Sequence, residues 1–284
     1  MTYFLEGELT EAERDPHTAR FRVIPVPLER TVSYGAGTAG GPDAILAASV
    51  ELERLFRETE PCAKGIATET PVACTGPLPE VMETISARTE AAAKAGAIPV
   101  SLGGEHALSY GAVRGVARAL DRPIGIVQID AHADLRKAYQ GERHSHASVM
   151  QLLVEEEGIR IAQFGVRALC AEEVARRTAC GVFYRDAEEL VTQNIQAVDL
   201  PDDFPDDIYI SFDVDGLDPA ILPSTGTPVP GGLGYYQALN LCRHALKGRR
   251  LVGCDIVELA PDTNSTVSNF TTAQITYALM SLAD

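Results

Sequence analysis

The chain has 284 residues, of which 45% are hydrophobic, 23% charged and 6% aromatic. This composition is typical of an ordinary globular protein and excludes a fibrous or disordered chain. Forty acidic residues against 24 basic ones give a formal net charge of −16. That charge disfavours nucleic acids and anionic membranes as partners and favours a small cationic substrate.

The sequence gives no sign of a targeting segment or a second domain. It has no apolar run of about 18 residues, the length that a membrane helix needs, and no N-terminal pattern like a signal peptide. We therefore expect a cytoplasmic protein with a single domain over residues 1–284. The six cysteines are scattered without a C-x-x-C pair, so neither a zinc ribbon nor a redox motif is indicated.

Short apolar runs alternate along the chain with helical stretches. One helix is predicted over residues 42–57, with proline in its first turn, and another over 79–95, closed by Gly96. Strands that are apolar on both faces and separated by helices indicate a mainly parallel sheet covered on both sides. The sequence thus predicts a three-layer α/β/α fold of about eight strands, at residues 22–27, 65–68, 98–102, 124–129, 161–164, 182–184, 208–212 and 251–257.

Acidic and imidazole side chains follow two of these strands, at the edge where parallel sheets bind their ligands. Asp130, His132 and Asp134 come directly after the strand 124–129. Their side chains share one side if the extended conformation continues past residue 129. Asp213 and Asp215 follow the strand 208–212 in the same way.

A third strand, 98–102, is followed by the segment Gly103-Gly104-Glu105-His106, in which the paired glycines allow a close approach of the backbone. Burying the four aspartates together is costly unless cations neutralise them. Four carboxylates and two imidazoles suit Mn²⁺ better than zinc. The sequence therefore predicts a site with two metal ions, in which two carboxylates bridge.

Each of these segments also has a purely structural interpretation. His106 alone could be a hydrogen-bonded turn histidine, and the Asp-x-His-x-Asp pattern could lie on an exposed strand or a surface turn. Asp213-Val214-Asp215 could be a helix cap or a solvated strand end. The metal interpretation is stronger because three strand ends of one sheet repeat the same chemistry.

These motifs resemble those of the ureohydrolases, which include arginases, agmatinases, guanidinobutyrases and formimidoylglutamases. The resemblance runs from residues 31–37 to residues 255–258, and its central segments are Gly-Gly-Glu-His, Asp-Ala-His-Ala-Asp and Ser-Phe-Asp-Val-Asp-Gly-Leu-Asp-Pro. Glu105 stands where many relatives have Asp, which leaves the neighbouring ligand unchanged. The resemblance implies an arginase-like fold and two Mn²⁺ ions, one bound by His106, Asp130, Asp134 and Asp213 and the other by Asp130, His132, Asp213 and Asp215.

The same resemblance implies roles for residues around the metals. Two ions lower the pKa of a shared water, which attacks the guanidinium carbon. Glu258 matches the glutamate that binds the guanidinium, and His146 matches the proton shuttle to the leaving amine, for which a near-neutral pKa is suitable. His144 could compete for that role, but the family pattern favours His146. Asp134 would also hydrogen-bond the developing amino group, and Thr227 would contact the substrate head.

The loop over residues 135–145 predicts the substrate. It lacks the Asn, Thr and Ser side chains with which arginases hold an amino acid carboxylate, and it resembles bacterial agmatinases. We therefore expect hydrolysis of agmatine to putrescine and urea, a step of polyamine metabolism. Arg136 or Arg143 could recognise a carboxylate on the substrate, so arginase, guanidinobutyrase and formimidoylglutamase activities remain alternatives.

Two alternatives lie outside this activity, and one expectation concerns assembly. A two-metal phosphoesterase also uses clustered Asp and His, but it usually needs cationic groups facing the phosphate. An inactive regulatory homologue should lose a ligand or the shuttle, and neither is lost. The resemblance further implies a homo-oligomer, a trimer or a hexamer.

Overall fold

The computed structural model describes residues 2–283, and their strands form one sheet in which every pair is parallel. The eight strands of this range are β1 (Phe21–Val26), β2 (Ile66–Thr68), β3 (Ile98–Gly103), β4 (Ile124–Ile129), β5 (Arg160–Phe164), β6 (Phe183–Arg185), β7 (Asp207–Asp213) and β8 (Arg250–Val257). Their order across the sheet is β2-β1-β3-β8-β7-β4-β5-β6. The predicted mainly parallel sheet of about eight strands is confirmed.

Helices cover both faces of this sheet and complete the three layers. In residues 2–283 the α-helices are α1 (Gly41–Ser49), α2 (Leu78–Lys94), α3 (Leu108–Leu120), α4 (Val149–Glu157), α5 (Ala171–Ala179), α6 (Ala187–Thr192), α7 (Tyr235–Ala245) and α8 (Val267–Met280). Short 3₁₀ helices lie at Ala12–Arg14, Thr38–Gly40, Pro61–Lys64, His146–Ser148 and Val214–Gly216. None of the helices in residues 2–283 is long and apolar enough to cross a membrane.

Two hydrophobic cores separate the layers, one on each face of the sheet. Side chains of α1, α7 and α8 pack into one core, and side chains of α2, α3 and α4 pack into the other. The central strands are buried along their whole length. This burial on both faces explains why they read as continuous apolar runs rather than as alternating patterns.

The first helix is shorter than predicted. Helix α1 ends at Ser49, not at residue 57, and the Ser49 hydroxyl donates to the Leu46 carbonyl while accepting the backbone N–H of Leu5. The chain then makes a tight reversal in which Phe56 and Thr59 pair and Arg57 takes a positive φ of 57°. A left-handed residue inside that reversal is incompatible with a continuing helix. The second helix matches its prediction within one residue at each end.

The strand order brings the carboxyl ends of β3, β8, β7 and β4 side by side at the centre of the sheet. The chain goes from β3 through α3 to β4, so it passes over the two positions that β7 and β8 fill later. Such a reversal of strand order leaves a crevice at the carboxyl edge, which is where ligands bind in open α/β sheets. The predicted site residues lie either directly after these four strands or in the loops beside them.

Candidate metal centre and its cavity

One group of side chains surrounds the imidazole of His106, which follows β3. Its Nδ1 lies 2.9 Å from Asp134 Oδ2, 3.1 Å from Asp130 Oδ2 and 3.4 Å from Asp213 Oδ2. All four side chains are buried. The structure therefore brings together the four residues that the sequence predicts for the first ion.

A second group lies around His132. Its Nδ1 is 3.1 Å from Asp215 Oδ2 and 3.5 Å from Asp130 Oδ1. Asp130 is thus shared by the two groups, with Oδ2 facing His106 and Oδ1 facing His132. In each of the sets His106–Asp130–Asp134 and Asp130–His132–Asp215, one ligand atom per residue lies within 4.8 Å of the others. Asp213 is held differently, because its Oδ1 accepts the backbone N–H of Asp215 at 2.9 Å.

The backbone that presents these residues is a turn and not the continued strand that the spacing suggested. Strand β4 ends at Ile129, and Asp130 Oδ1 accepts the backbone N–H of His132 at 2.6 Å. Asp134 then takes a positive φ of 53°. The side chains at 130, 132 and 134 converge through this turn, so the predicted cluster forms although the predicted extended conformation does not.

The carboxylate oxygens and imidazole nitrogens of this cluster are suitable ligands for a metal ion. Burial, together with the charges of Asp215 and Asp130, raises the pKa of Asp213 well above its usual range, and burial with the charge of Asp130 raises that of Asp134. His106 Nδ1 is buried and has no hydrogen-bond partner among the described residues, although three carboxylates surround it. Cations between the carboxylates and this nitrogen would neutralise the buried acidic groups and give His106 Nδ1 a partner. Oxygen and imidazole ligands of this kind suit divalent ions such as Mn²⁺.

Glu258 lies beside the cluster, one residue after β8. Its Oε1 accepts the backbone N–H of His106 at 2.7 Å, and its positive φ of 66° turns the side chain out of the direction of the strand. The carboxylate is buried, and burial raises its pKa. It lines a small cavity of about 20 Å³ that also touches His132, Asp134 and Thr227. Thr227 donates from Oγ1 to Asp215 Oδ2 at 3.2 Å.

His146 lines the same small cavity from the opposite loop. Its Nδ1 lies 3.2 Å from Thr31 Oγ1, and its backbone N–H donates to the same oxygen at 3.1 Å. Burial, with the charges of His106 and His132, lowers the pKa of His146 to about 4, whereas the sequence suggested a near-neutral value. The ring is therefore neutral at pH 7. His144, the competing histidine, lies against the Tyr110 ring and does not line this cavity.

A larger cavity of about 400 Å³ adjoins the small one and shares His132, Asp134 and His146 with it. Arg136, Tyr139 and Glu173 line this outer space. The guanidinium of Arg136 lies over the Tyr139 ring at 5.4 Å, and its Nε is 3.9 Å from Glu173 Oε2.

Arg143, the other arginine of the loop, is not among the residues that line either cavity. It pairs with Glu156, with its Nη2 at 2.8 Å from Glu156 Oε1. Only Arg136 of the two predicted carboxylate-recognising arginines can therefore meet a ligand in the cavity that the structure describes.

Several polar residues that support the site were not singled out from the sequence. Ser211 Oγ lies 2.8 Å from His106 Nε2 and donates to Asp255 Oδ1 at the same distance. Gln128 donates from Nε2 to Asp130 Oδ2 at 2.7 Å. Both are polar residues inside otherwise apolar strands, each two positions before a predicted ligand, and that position was the available signal. Glu173 carries no comparable signal.

Comparisons with known proteins identify the family of this chain. The arginase family matches residues 19–282. An N(1)-aminopropylagmatine ureohydrolase from Synechocystis is 37% identical over 98% of this chain and 92% of its own length. An agmatinase from Pyrococcus horikoshii is 31% identical over 95% and 94% of the two chains. The crystal structure of the agmatine ureohydrolase of Thermoplasma volcanium, 28% identical, superimposes with a TM-score of 0.82 over 97% of this chain and 94% of its own. The chain is therefore a ureohydrolase that belongs to the arginase family.

Proposed function

We propose that this enzyme hydrolyses the guanidinium group of a linear guanidine that carries a distal amine, with agmatine giving putrescine and urea. We further propose that it uses two Mn²⁺ ions. The main support for this proposal is that two groups of His and Asp side chains share Asp130 and adjoin the buried carboxylate of Glu258. The proposed ligands are His106, Asp130, Asp134 and Asp213 for one ion and Asp130, His132, Asp213 and Asp215 for the other.

Glu258 is well suited to bind the cationic head of the substrate. A guanidinium presents planar pairs of N–H donors that match a carboxylate, and such a pair is strong where water is excluded. One oxygen of Glu258 is already fixed by the backbone N–H of His106, so the carboxylate has a defined plane. Thr227, which lines the same small cavity, offers a hydroxyl beside the head. We propose that these two residues orient the reacting carbon.

The proton balance of the reaction assigns a role to His146. Water adds its oxygen to the guanidinium carbon, the bond from that carbon to the substituted nitrogen breaks, and the leaving amine must gain a proton. When bound, the two ions supply acidification of water and neutralisation of the clustered carboxylates. Burial holds the pKa of His146 below its usual value, so the ring is neutral at pH 7 and can accept the proton that the attack releases. It then passes that proton to the leaving nitrogen, towards which Asp134 offers an acceptor.

The far end of the substrate would occupy the outer cavity. Its volume of about 400 Å³ leaves room for more than the four-carbon amine of agmatine. The relatives named N(1)-aminopropylagmatine ureohydrolases, from Synechocystis and Thermus thermophilus, make that longer amine a second candidate substrate. Arg136 in the wall favours a carboxylate instead, as in guanidinobutyrate, but Glu173 beside it offsets its charge.

A panel of guanidines tests this proposal. Urea release should be measured with the Mn²⁺-loaded enzyme on agmatine, N(1)-aminopropylagmatine, arginine and guanidinobutyrate. Formamide release should be measured on formiminoglutamate, and phosphate release from a generic phosphate ester is the control for a two-metal phosphoesterase. We expect kcat/KM for an amine-bearing guanidine to exceed that for any carboxylate by at least about tenfold, which corresponds to about 1.4 kcal/mol. A preference for arginine or guanidinobutyrate would overturn the substrate assignment.

Replacing Arg136 distinguishes a substrate with a distal amine from one with a distal carboxylate. If the distal group is an amine, Arg136→Gln removes a like charge and should leave KM for agmatine unchanged or lower. If it is a carboxylate, the same change should raise KM for guanidinobutyrate sharply. Arg143→Gln is the matched control, because that arginine pairs with Glu156 and lines neither cavity.

We also infer that the enzyme works in the cytoplasm as a homo-oligomer, a trimer or hexamer. Large apolar side chains remain exposed on the single chain, among them Tyr34 at 88% and Tyr236 at 66% exposure. Contacts between subunits would remove exposed apolar surface of this kind from water. Sedimentation at micromolar concentration would test the assembly, and a monomer would contradict it.

A further inference from the structure

A buried chain of side-chain hydrogen bonds leads from helix α5 to Asp130. Arg177, on α5, donates from Nη1 to Asp186 at 2.8 Å and from Nε to Gln163 Oε1 at 2.9 Å. Gln163 donates from Nε2 to Gln128 Oε1 at 2.7 Å, and Gln128 donates from Nε2 to Asp130 Oδ2 at 2.7 Å. Gln128 and Gln163 face each other directly in the register of β4 and β5. The four residues from Arg177 to Asp130 are all at most 4% exposed.

The arginine fixes the direction of this chain. A guanidinium can only donate, so the atom of Gln163 that meets it must be the carbonyl oxygen. The amide nitrogen of Gln163 then points to Gln128 and to the Ala133 carbonyl, which accepts from it at 2.7 Å. Gln128 must therefore present its oxygen to Gln163 and its N–H to Asp130. The Ala133 carbonyl and the Asp130 carboxylate, which accept the amide N–H groups, agree with the direction that the arginine sets.

The last N–H of the chain holds one oxygen of the shared carboxylate. Oδ2 of Asp130 accepts from Gln128, and Oδ1 accepts from the backbone of His132. With one donor on each oxygen, the carboxylate plane is fixed, while each oxygen keeps a lone pair for the side that faces His106 or His132. A carboxylate that bridges two ions needs this orientation.

Packing alone does not account for the chain. Two glutamines and an arginine in the interior lose their hydration, and apolar residues of similar volume would fill the same space without that cost. The guanidinium is compensated by Asp186 and by the Tyr184 ring, 4.3 Å away. The compensated cation is therefore connected to the acidic cluster through two side-chain amides, the second of which donates to Asp130.

We propose that Gln128, Gln163 and Arg177 act as positioning residues that orient Asp130 as the ligand shared by the two metal ions. This inference rests on the proposed function for its consequence in catalysis, but its direct effect is on metal affinity. Partners that hydrogen-bond to metal ligands commonly change affinity by about 10–100-fold when they are removed.

Gln163→Glu tests the chain with the change of a single group. The new carboxylate keeps the acceptor for Arg177 and loses the N–H for Gln128, so Gln128 must turn its own N–H away from Asp130. We expect the affinity of the chelator-treated protein for Mn²⁺, measured by calorimetric titration, to fall by about 10–100-fold. Gln151→Glu is the matched control, because Gln151 is equally buried, accepts from Arg176 at 2.7 Å, and its side-chain Nε2 has no hydrogen-bond partner among the described residues.

A pair of variants at Arg177 supports the interpretation if Gln163→Glu does not fold. Arg177→Met removes the donor that sets the direction, and Arg177→Lys keeps a donor-only head. We expect Mn²⁺ affinity in the order wild type, Arg177→Lys, Arg177→Met, and we expect this order to differ from the order of thermal stability without metal. Wild-type affinity in Gln163→Glu, or in Arg177→Met, would overturn the proposal.

The binding readout keeps this inference separate from the proposed function. Weakened Mn²⁺ binding in Gln163→Glu together with no urea release by the wild type would support the positioning chain and refute the guanidine hydrolase. Urea release by the wild type with unchanged affinity in Gln163→Glu would refute the chain alone. A wild-type protein that binds no Mn²⁺ would overturn both.

Discussion

The hydroxyl of Thr31 is the direct support of the proposed proton-transfer group. It accepts the backbone N–H of His146 and lies 3.2 Å from Nδ1 of the same ring. Donating its own hydrogen to Nδ1 would leave the ring proton on Nε2. The segment that carries Thr31 is held by Glu105, whose Oε2 accepts the backbone N–H groups of Arg30 at 2.9 Å and Thr31 at 2.7 Å. Glu105 thus anchors the loop that supports His146.

Thr31→Val should therefore impair proton transfer without disturbing the metals. The variant keeps the shape of the side chain and removes its hydroxyl, and we expect kcat for agmatine to fall about tenfold, part of the contribution of about 10²–10⁴ that a positioned acid or base makes. Manganese content by metal analysis should equal that of the wild type. Thr84→Val is the control, because that hydroxyl bonds the Glu80 carbonyl on an exposed face of α2. A loss of manganese in Thr31→Val would contradict this role.

At the scale of the elements, strands were predicted well where burial is symmetrical. The prediction for β4 coincides with the observed Ile124–Ile129, because both faces of that strand are apolar. Strand β7 begins one residue earlier than predicted, at Asp207, which pairs with Ile124 and Arg250 in the register of the sheet and binds two arginines through its carboxylate. No local pattern reveals a partner that is distant in sequence. Gln128 and Gln163 stand out in the sequence as polar residues inside apolar strands. Their pairing could not be predicted, because it depends on the register of β4 and β5.

Asp207 supplies a prediction about pH. Burial alone would raise its pKa, but hydrogen bonds from Arg250, at 2.7 Å to Oδ1, and from Arg122 outweigh burial and hold the pKa below its usual value. A carboxyl with a depressed folded-state pKa stabilises the protein above its unfolded pKa, about 3.9 for Asp, and loses that contribution as the pH falls through the folded value.

Asp207→Asn should lower the free energy of unfolding by about 1.5–3 kcal/mol at pH 7, the range for hydrogen bonds to charged groups. The difference from the wild type should shrink as the pH is lowered below 4, which denaturant titrations at a series of pH values would show. Asp206→Asn, next in the chain and exposed, is the control with little expected effect. A deficit that stays constant down to pH 2 would refute the charge-based explanation.

At the scale of the whole molecule, the site depends on strands that are far apart in sequence. His106 follows β3 and Glu258 follows β8, and the backbone N–H of the first binds the carboxylate of the second across 152 positions. The sequence motifs predicted which residues meet, because each one ends a buried strand of a parallel sheet. They could not predict the left-handed conformations of Asp134 and Glu258. Hydrogen bonds to distant segments hold both residues, because the Asp134 carbonyl accepts from Met150 and Gln151 and the Glu258 N–H donates to the Gly104 carbonyl.

The acidic cluster should lower the stability of the metal-free protein and allow metal ions to bind, and Asp213→Asn tests both effects. Burial and the charges of Asp215 and Asp130 raise the pKa of Asp213, so the ionised group destabilises the metal-free fold at neutral pH. The amide keeps an oxygen for the backbone N–H of Asp215 and removes one of the like charges. Without metal, the variant should therefore melt a few degrees above the wild type, at roughly 2–4 °C per kcal/mol for a chain of this size.

Added Mn²⁺ should reverse that order. Wild-type protein at a hundred times the dissociation constant gains about 2.7 kcal/mol, whereas the variant has lost a proposed ligand of both ions and should gain little. Thermal melts of chelator-treated protein, with and without Mn²⁺, measure both effects in one experiment, and Asp206→Asn serves as the control that should follow the wild type throughout. If Asp213→Asn melted below the wild type without metal and gained as much from Mn²⁺, then the cluster would be an ordinary hydrogen-bonded network and not a site built to be neutralised by cations.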